Sequence, residues 1–224
     1  TPLTLILNPV KNLLYTIPYN GEHKKQLEYI HSNALKLQDL TNQIMDLQKL
    51  DAGKLQLNIE NTDIIEYCIG LISSFESLCE TKNATILIES NFSQVIAGFD
   101  KDKIGKILTN LLSNAIKFCF TNSAIHATIT VTNNRFYLKI DDKGSGIPES
   151  EVRDVFRRYK QASNNRNTGG TGLGLAYVHE LVSFMHGLVT LESEENIGTT
   201  VSVEIPIDIL EIKDNTQLNI EIGN

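Results

Sequence analysis

Apolar residues recur at alternating spacings of three and four between Gly21 and Leu50, which is the pattern of an amphipathic helix. Leu3 to Leu14 has a second helical pattern, and the helix breakers at Pro18 to Gly21 predict that the two helices run antiparallel. A single hairpin buries little of its apolar seam, so we expect residues 1–50 to form a homodimeric four-helix bundle rather than a monomeric hairpin. The seam comprises Leu27, Ile30, Ala34, Leu37, Thr41 and Ile44, with a flanking row at Leu40 and Leu47.

The periodicity changes after Asp51 to Lys54, where the long helix ends and a connector leads to Asn61. Beyond this point the patterns predict a mixed sheet with helices on one face. The fold class is therefore α+β, with a helical hairpin followed by a two-layer α/β sandwich. We expect domains at 1–60 and 61–208 and a polar tail or linker at 209–224. The predicted elements of the second domain are helices at 63–81, 101–118, 149–158 and 172–186, and strands at 84–89, 95–99, 125–132, 136–141, 188–193 and 200–205.

Composition narrows the possible partners and location. The 20 Lys and Arg against 27 Asp and Glu give a net charge of −7 without a basic block, so we expect no nucleic-acid partner. There is neither a signal-peptide pattern nor an apolar run near the about 20 residues of a membrane helix. We expect a soluble cytoplasmic piece that is linked to a membrane only through parts outside this sequence. The odd set Cys68, Cys79 and Cys119 lacks metal-ligand spacing and predicts buried, reduced thiols.

Candidate chemistry is concentrated in three islands. Amides and a lysine on one helix can meet Mg²⁺ and phosphate, and a carboxylate before a glycine turn can accept from an amino group. A glycine-rich turn that opens a helix offers N–H groups and a positive dipole end to phosphates. Together these features predict a site for an adenine nucleotide with its metal. The islands are NLLSNAIKF at Asn110 to Phe118, DKGSGIP at Asp142 to Pro148, and GGTGLGL at Gly169 to Leu175.

In this order and at these spacings, the islands resemble the N, G1 and G2 boxes of the ATP-binding domain of sensor histidine kinases. That domain has the Bergerat-type fold, in a wider group with the heat-shock chaperone ATPase, type II topoisomerases and mismatch-repair ATPases. Val152 to Ser163 resembles the family's F box through Phe156, and Gly187 to Pro206 resembles its closing hairpin. Thr1 to Ile6 is similar to the stretch that follows the phosphoacceptor histidine. The resemblance covers nearly the whole chain.

In the first island, Asn110, Asn114 and Lys117 share one helix face. The resemblance implies that Asn114 ligates Mg²⁺, that Asn110 supports the metal directly or through water, and that Lys117 meets the phosphates. Mg²⁺ keeps several waters, so one amide with the phosphate oxygens is sufficient. Phe118 would lie against the adenine ring. From the residues alone, the amides favour capping of neighbouring backbone groups, and Phe118 is also compatible with an ordinary core aromatic.

In the second island, Asp142 follows an alternating apolar run and precedes a glycine turn. By itself it is compatible with a turn cap. The resemblance implies that its carboxylate accepts from the exocyclic amine of adenine, and that the glycines let the backbone approach the base. Lys143 is expected to point to solvent. The implied nucleotide contacts on this side are Asp142, Gly144, Gly146, Ile147 and Thr200.

The polar segment between Phe156 and Gly169, which ends in the stretch at 163–168, resembles the ATP lid of these kinases. Arg158, Gln161 and Arg166 are the candidates to reach the phosphates from it, and the sequence leaves open which of them does. The glycine loop after the lid is a weak phosphate signal alone and gains weight from its position before an amphipathic helix. The implied contacts of the loop are Gly170, Thr171, Gly172, Leu173 and Gly174.

None of the five histidines is a candidate phosphoacceptor. His179 precedes Glu180 and so mimics a His-Glu pair, but it lies after the glycine loop, where we expect a surface or packing role. The resemblance places the phosphoacceptor four residues before Thr1, outside this sequence. Thr1 would then occupy the position at which these kinases hold a hydroxyl or amide for dephosphorylating the partner.

We therefore expect the core of an ATP-dependent protein-histidine kinase of the two-component, hybrid type, with ATP and Mg²⁺. Such an enzyme transfers the γ-phosphoryl group to a histidine on the first helix and then to an aspartate of a response-regulator receiver domain, in cis or in trans. One alternative is a non-catalytic nucleotide-binding dimerisation module. The other is an ATP-hydrolysing clamp of the same fold, against which the hairpin at 1–50 argues.

Overall fold

A computed structural model describes residues 2–16, 22–164, 170–214 and 216–223. The chain divides into two compact units, Thr1–Leu55 and Gln56–Asn224. Thr1, the breaker cluster Pro18 to Gly21, and Arg166 in the lid stretch lie outside the described residues.

The first unit is a hairpin of two helices that pack against each other, as the periodicity predicts. Helix α1 spans Pro2–Thr16 and helix α2 spans Glu22–Asp51. Ala34 of the predicted seam and Leu47 of its flanking row are buried. Ile30 and Leu37 of the same seam remain 46% and 54% exposed. The unit therefore presents apolar side chains that are not covered within the described chain.

The second unit contains five helices and nine strands within its described residues. The helices are α3 Ile64–Ser73, α4 Glu76–Glu80, α5 Lys101–Phe118, α6 Glu149–Val152 and α7 Gly174–Phe184. The strands are β1 Glu60–Asp63, β2 Thr85–Ser90, β3 Gln94–Phe99, β4 Ala124–Thr132, β5 Arg135–Asp142, β6 Leu188–Glu194, β7 Gly198–Pro206, β8 Asp208–Asp214 and β9 Leu218–Ile222.

The strands of the second unit form two sheets. The larger sheet has six strands in the order β6-β7-β5-β4-β2-β9, and the smaller has the order β1-β3-β8. In the larger sheet β2 and β4 pair in parallel and the other neighbours are antiparallel, so the sheet is mixed. Alternate residues of β4 and β5 are buried, and α5 and α7 pack together and against this sheet. The predicted α+β fold class is confirmed, although two sheets occur where one was expected.

The structure corrects the prediction of a tail after residue 208. β8 pairs with β3, and β9 pairs with β2 as an edge of the larger sheet. Most described side chains of β8 are exposed, so β8 lacks the alternation by which a half-buried strand is predicted. β9 has that alternation, because Leu218, Ile220 and Ile222 are less exposed than Asn219 and Glu221 between them. Backbone pairing positions both strands, and Ile222 of β9 is also buried.

Two predicted helices are shorter than expected. The helix predicted at 63–81 is interrupted after Ser73, where Ser73 Oγ donates to the Ile69 carbonyl and Ser74 Oγ donates to the Leu71 carbonyl at 2.6 Å. Serine hydroxyls that bond to preceding carbonyls compete with the helical ladder. The helix predicted at 149–158 ends at Val152 and continues as turns.

Candidate functional site

Helix α5 positions the residues of the first island. Its N-terminus is capped by Asp100, whose carboxylate accepts from the Lys103 backbone N–H at 3.0 Å. One face of α5 is buried in the core, and Asn110, Asn114 and Lys117 on the other face are half-buried. These two amides and the ammonium therefore lie at the edge of the core, where polar groups remain accessible to a ligand.

The glycine loop lies directly against this row. A Cβ placed on Gly174 would lie 3.0 Å from Asn110 Oδ1 and 3.8 Å from Asn114 Nδ2. A Cβ on Gly170 would lie 3.1 Å from Lys117 Nζ. The tertiary structure therefore brings the first and third islands together, although about 60 residues separate them in the sequence.

The glycine loop contacts and hydrogen-bonds the segment from Tyr159 to Gln161, which precedes residues 163–168. Gly172 has a φ of +68°, and a side chain there would collide with the Tyr159 and Lys160 backbone. The Tyr159 N–H donates to the Gly172 carbonyl at 2.8 Å, and Gln161 Nε2 donates to the Gly170 carbonyl at 2.7 Å. Of the predicted loop contacts, Thr171 is exposed and Leu173 is buried.

Helix α7 begins at Gly174 and has no acidic residue in its first turn. The first N–H groups of a helix and its dipole favour an anion. The start of α7 faces Asn110 and Asn114. The region where α5 meets the start of α7 thus combines helix N–H donors, amides and a lysine, a donor set that suits a polyphosphate with its cation.

Asp142 ends β5 as a buried carboxylate. Its Oδ1 has no hydrogen-bond partner among the described residues. Burial, reinforced by the negative charge of Asp141, raises the pKa of Asp142 from 3.8 to about 7, against a backbone hydrogen bond from Thr199 that lowers it. A buried acceptor without a donor is costly, so an oxygen placed in this way fits an amino group supplied by a ligand.

Gly144 joins Asp142 to the end of α5. A Cβ on Gly144 would collide with the Phe118 carbonyl and would lie 2.7 Å from Asp142 Oδ1. Phe118 is half-buried, and its ring lies 4.6 Å from Lys117 Nζ. The absence of a side chain at Gly144 therefore lets the backbone after Asp142 pack closely against the end of α5 and leaves Asp142 Oδ1 uncovered by a Cβ. Lys143 is exposed, as expected.

The β6–β7 hairpin supports this turn through residues that the sequence did not single out. Ser193 Oγ accepts from the Ile147 N–H at 2.9 Å and lies 2.9 Å from Thr199 Oγ1. Thr199 is paired with Asp142 in the sheet. The predicted contact Thr200 is not brought to this site, because its hydroxyl donates to Asp141 on the opposite face. The register of the hairpin against β5 is the signal that would have selected Thr199.

The F-box segment packs against α7. The rings of Phe156 and His179 are 5.4 Å apart, and Arg158 forms a 3.4 Å ion pair with Glu180. His179 therefore has a packing contact, as the sequence indicated. Asn164 Nδ2 donates to the Ser145 and Gly146 carbonyls at 3.3 and 3.2 Å, which attaches the start of the lid stretch to the glycine turn after Asp142.

The cysteines and the remaining titratable groups suggest no other site. Cys68, Cys79 and Cys119 are free and buried, as predicted, and burial raises the pKa of Cys68 to about 12. In the described part of the chain no group of three or more His, Cys, Asp or Glu side chains is placed to hold a metal ion. Across the same residues, no helix is both long and apolar enough to cross a bilayer.

The fold and site together define an ATP-binding domain of α+β type. Residues 99–209 match, and belong to, the family described as histidine kinase-, DNA gyrase B-, and HSP90-like ATPase. These residues contain all three islands. The family membership agrees with the resemblance seen in the sequence.

Known proteins similar to this chain are histidine kinases. It is 32% identical to hybrid signal transduction histidine kinase D of Dictyostelium discoideum over 92% of this chain and 14% of that protein. It is 31% identical to the autoinducer 2 sensor kinase/phosphatase LuxQ of Vibrio cholerae over 97% of this chain and 26% of that protein. The chain thus spans about a quarter or less of these relatives.

A solved structure shares the fold over nearly the whole chain. Full-length ShkA in complex with AMPPNP superposes with a TM-score of 0.75 and 22% identity, covering 93% of this chain and 44% of ShkA.

Proposed function

We propose that the second unit binds ATP with Mg²⁺ between α5, the glycine loop and the turn after Asp142. The observation that carries this proposal is the buried Asp142 Oδ1 beside Gly144, an oxygen that has no hydrogen-bond partner among the described residues. The exocyclic amine of adenine is a donor that satisfies this oxygen, whereas guanine places a carbonyl at the same ring position. Asp142 is then the residue that selects adenine.

The phosphate side of the proposed site is formed by the α5 row and the start of α7. Asn114, with Asn110 beside it, would hold Mg²⁺ together with phosphate oxygens, and the ion would supply charge neutralisation and alignment of the triphosphate. Lys117 meets the phosphates as a point charge next to Gly170. The N–H groups at the start of α7 add donors without a net charge. These residues orient the nucleotide and offset its charge, and they form no covalent bond with it.

We further propose that the parent protein is a sensor histidine kinase of the two-component type. In its reaction the bond between the γ-phosphorus and the bridging oxygen breaks, ADP leaves, and a phosphorus–nitrogen bond forms on a histidine that precedes Thr1. The phosphoryl group then passes to an aspartate of a receiver domain. The similarity to hybrid and sensor histidine kinases supports this proposal, as does the helical hairpin before the ATPase domain. A cytoplasmic setting and dimerisation through residues 1–50 belong to the same proposal.

Calorimetry of the whole chain with ATP and GTP, with and without Mg²⁺, tests the site. We expect Mg²⁺-dependent binding of ATP in preference to GTP. Asp142→Asn should weaken ATP binding by about 1–3 kcal/mol, since a charged acceptor is replaced by a neutral amide. Asp141→Asn is the matched comparison, because this neighbouring carboxylate lies on the other face of β5 and is bonded to Thr200. Its negative charge raises the pKa of Asp142, so its removal should leave ATP binding unchanged or stronger, never weaker. Equal affinity for ATP and GTP would remove the role given to Asp142.

A further inference from the structure

Three hydroxyl and carboxyl side chains form a row across the larger sheet. Ser193 of β6 is paired with Thr199 of β7, and Thr199 is paired with Asp142 of β5. Directly paired residues of antiparallel strands project from the same face of a sheet. Ser193, Thr199 and Asp142 therefore share the face on which the nucleotide site lies.

The hydroxyl of Ser193 uses its full hydrogen-bonding capacity. It donates its proton to the Gly198 carbonyl at 2.8 Å and accepts from the Ile147 N–H at 2.9 Å. Its third contact is Thr199 Oγ1 at 2.9 Å. A serine hydroxyl has one proton and two acceptor positions, so the proton between Ser193 and Thr199 comes from Thr199. One side chain thus connects the turn after Asp142 to both residues that begin β7.

Both of these β7 residues touch Asp142. The Thr199 backbone supplies a hydrogen bond that favours the charged form of the Asp142 carboxyl. Gly198 packs so closely on the Asp142 carbonyl that a Cβ there would collide with it. The position of β7 beside Asp142 therefore sets the surroundings of the carboxylate, and Ser193 holds that position.

We propose that Ser193 is a positioning residue for adenine recognition, which acts by holding Thr199, Gly198 and Ile147 around Asp142. The proposal rests on the nucleotide-binding function given above and adds a residue that does not touch the nucleotide. Ser193 fixes the orientation and the charge state of the Asp142 carboxyl group. Loss of the Ser193 hydroxyl should therefore reduce both the affinity for ATP and the selectivity for adenine.

The test compares wild type, Ser193→Ala and Ser193→Thr by calorimetry with Mg·ATP and Mg·GTP between pH 5.5 and 8.5. Ser193→Ala leaves the Ile147 N–H, the Gly198 carbonyl and the Thr199 hydroxyl without this partner. We expect the ATP affinity of Ser193→Ala to fall roughly tenfold, which is the size of effect expected when a hydrogen bond supporting a charged group is lost. The preference of this variant for ATP over GTP should also decrease. The midpoint of its affinity-versus-pH curve should move to higher pH, because a looser Thr199 favours the charged carboxyl less. Ser193→Thr keeps the hydroxyl and should retain most of the affinity and the wild-type midpoint.

Two controls separate positioning from folding. Thr190 lies on β6, as Ser193 does, but its side chain is on the opposite face of the sheet. Thr190→Ala should therefore leave the ATP affinity, the selectivity and the pH midpoint unchanged. Thr199→Val removes the hydroxyl that donates to Ser193 while keeping the side-chain shape, so it should shift the midpoint in the same direction as Ser193→Ala. Asp141 and the Cys119 thiol also interact with Asp142, and both are unchanged in every variant.

Wild-type affinity, selectivity and pH midpoint in a folded Ser193→Ala protein would overturn the inference. If Ser193→Ala does not fold, an unshifted midpoint in Thr199→Val would overturn it instead. Failure of the wild-type chain to bind ATP would instead contradict the proposed function. This outcome can be distinguished from failure of the Ser193 proposal, because it is measured without any variant.

Discussion

Gly174 opens α7 directly against Asn110 of α5: a Cβ on Gly174 would lie 3.0 Å from the Asn110 side-chain oxygen. Asn110 is itself anchored, because its Nδ2 donates to the Lys106 carbonyl at 2.7 Å. The start of one helix and the amide row of another are thereby held in contact. Any atom added at Gly174 must displace an amide of the proposed metal side of the site.

Gly174→Ala should therefore weaken Mg·ATP binding several-fold while changing stability little. Alanine improves the helix, but displacement of Asn110 offsets that gain. Gly70→Ala is the matched control: Gly70 lies in α3 with no atom near its missing Cβ, so this change should stabilise the fold by roughly 1 kcal/mol and leave nucleotide affinity unchanged. Calorimetry and thermal unfolding of both variants make the comparison. Wild-type ATP affinity in Gly174→Ala would contradict the assignment of Asn110 to the site.

Folding stability should depend on pH through Asp142. Its pKa is raised from 3.8 to about 7 by burial and by Asp141, so between these values the folded state binds more protons than the unfolded state. The contribution of Asp142 to the free energy of unfolding is thus fully present below pH 3.8 and is lost as the pH rises through about 7. Urea unfolding from pH 4 to 8 should show a fall in wild-type stability relative to Asp142→Asn. A constant difference between the two proteins would show that Asp142 does not titrate in this range.

Nucleotide affinity should change with pH in the opposite direction. An amine donor bonds more strongly to an ionised carboxylate than to a carboxylic acid, so ATP binding should strengthen as the pH rises through about 7. The Asp142→Asn protein should lack this rise. Titrations at constant ionic strength in the same pH range measure both proteins, and a rise that persists in Asp142→Asn would assign the effect to another group.

The hairpin should assemble the chain into a dimer through its exposed seam. Leu37 is 54% exposed, and a charge at this position should weaken self-association, because it would be buried in a four-helix bundle. Leu37→Lys is therefore compared by sedimentation with Ser32→Lys, which places the same charge on another face of α2. We expect loss of the dimer only in Leu37→Lys. Monomeric behaviour of the wild-type chain at all concentrations would refute the prediction.

The chain should not phosphorylate its own histidines. None of the five lies in a His-Glu setting on the first helix, and His179 packs against Phe156. A longer protein that includes the residues before Thr1 should become labelled from γ-labelled ATP, and Asn114→Ala in it should abolish labelling. Acid stability of the label identifies phosphohistidine. Acid-labile label on His31 or His179 of the present chain would contradict this interpretation.

The sequence determined those parts of the protein whose signals are local. It predicts α5 from Lys101 to Phe118, and these bounds are confirmed, because Asp100 caps the helix and its apolar face has an unbroken period. Each of the three islands contains, within a few consecutive residues, the side chains or glycines that its expected role needs. The order and spacing of these residues are therefore enough to indicate an adenine-nucleotide site and its family. The fold class follows from the change between helical and alternating patterns.

Tertiary structure decided whatever depends on pairing between distant segments. A shift of one residue in strand register moves a side chain to the other face, so hydropathy did not distinguish Thr199 from Thr200, and only the pairing of β7 with β5 placed Thr199 beside Asp142. β8 escaped prediction because this edge strand pairs with β3 while most of its described side chains are exposed. The alternation of β9 is short, and only its pairing with β2 identified it as a strand. The raised pKa of Asp142 likewise arises from burial, which no single position in the sequence records.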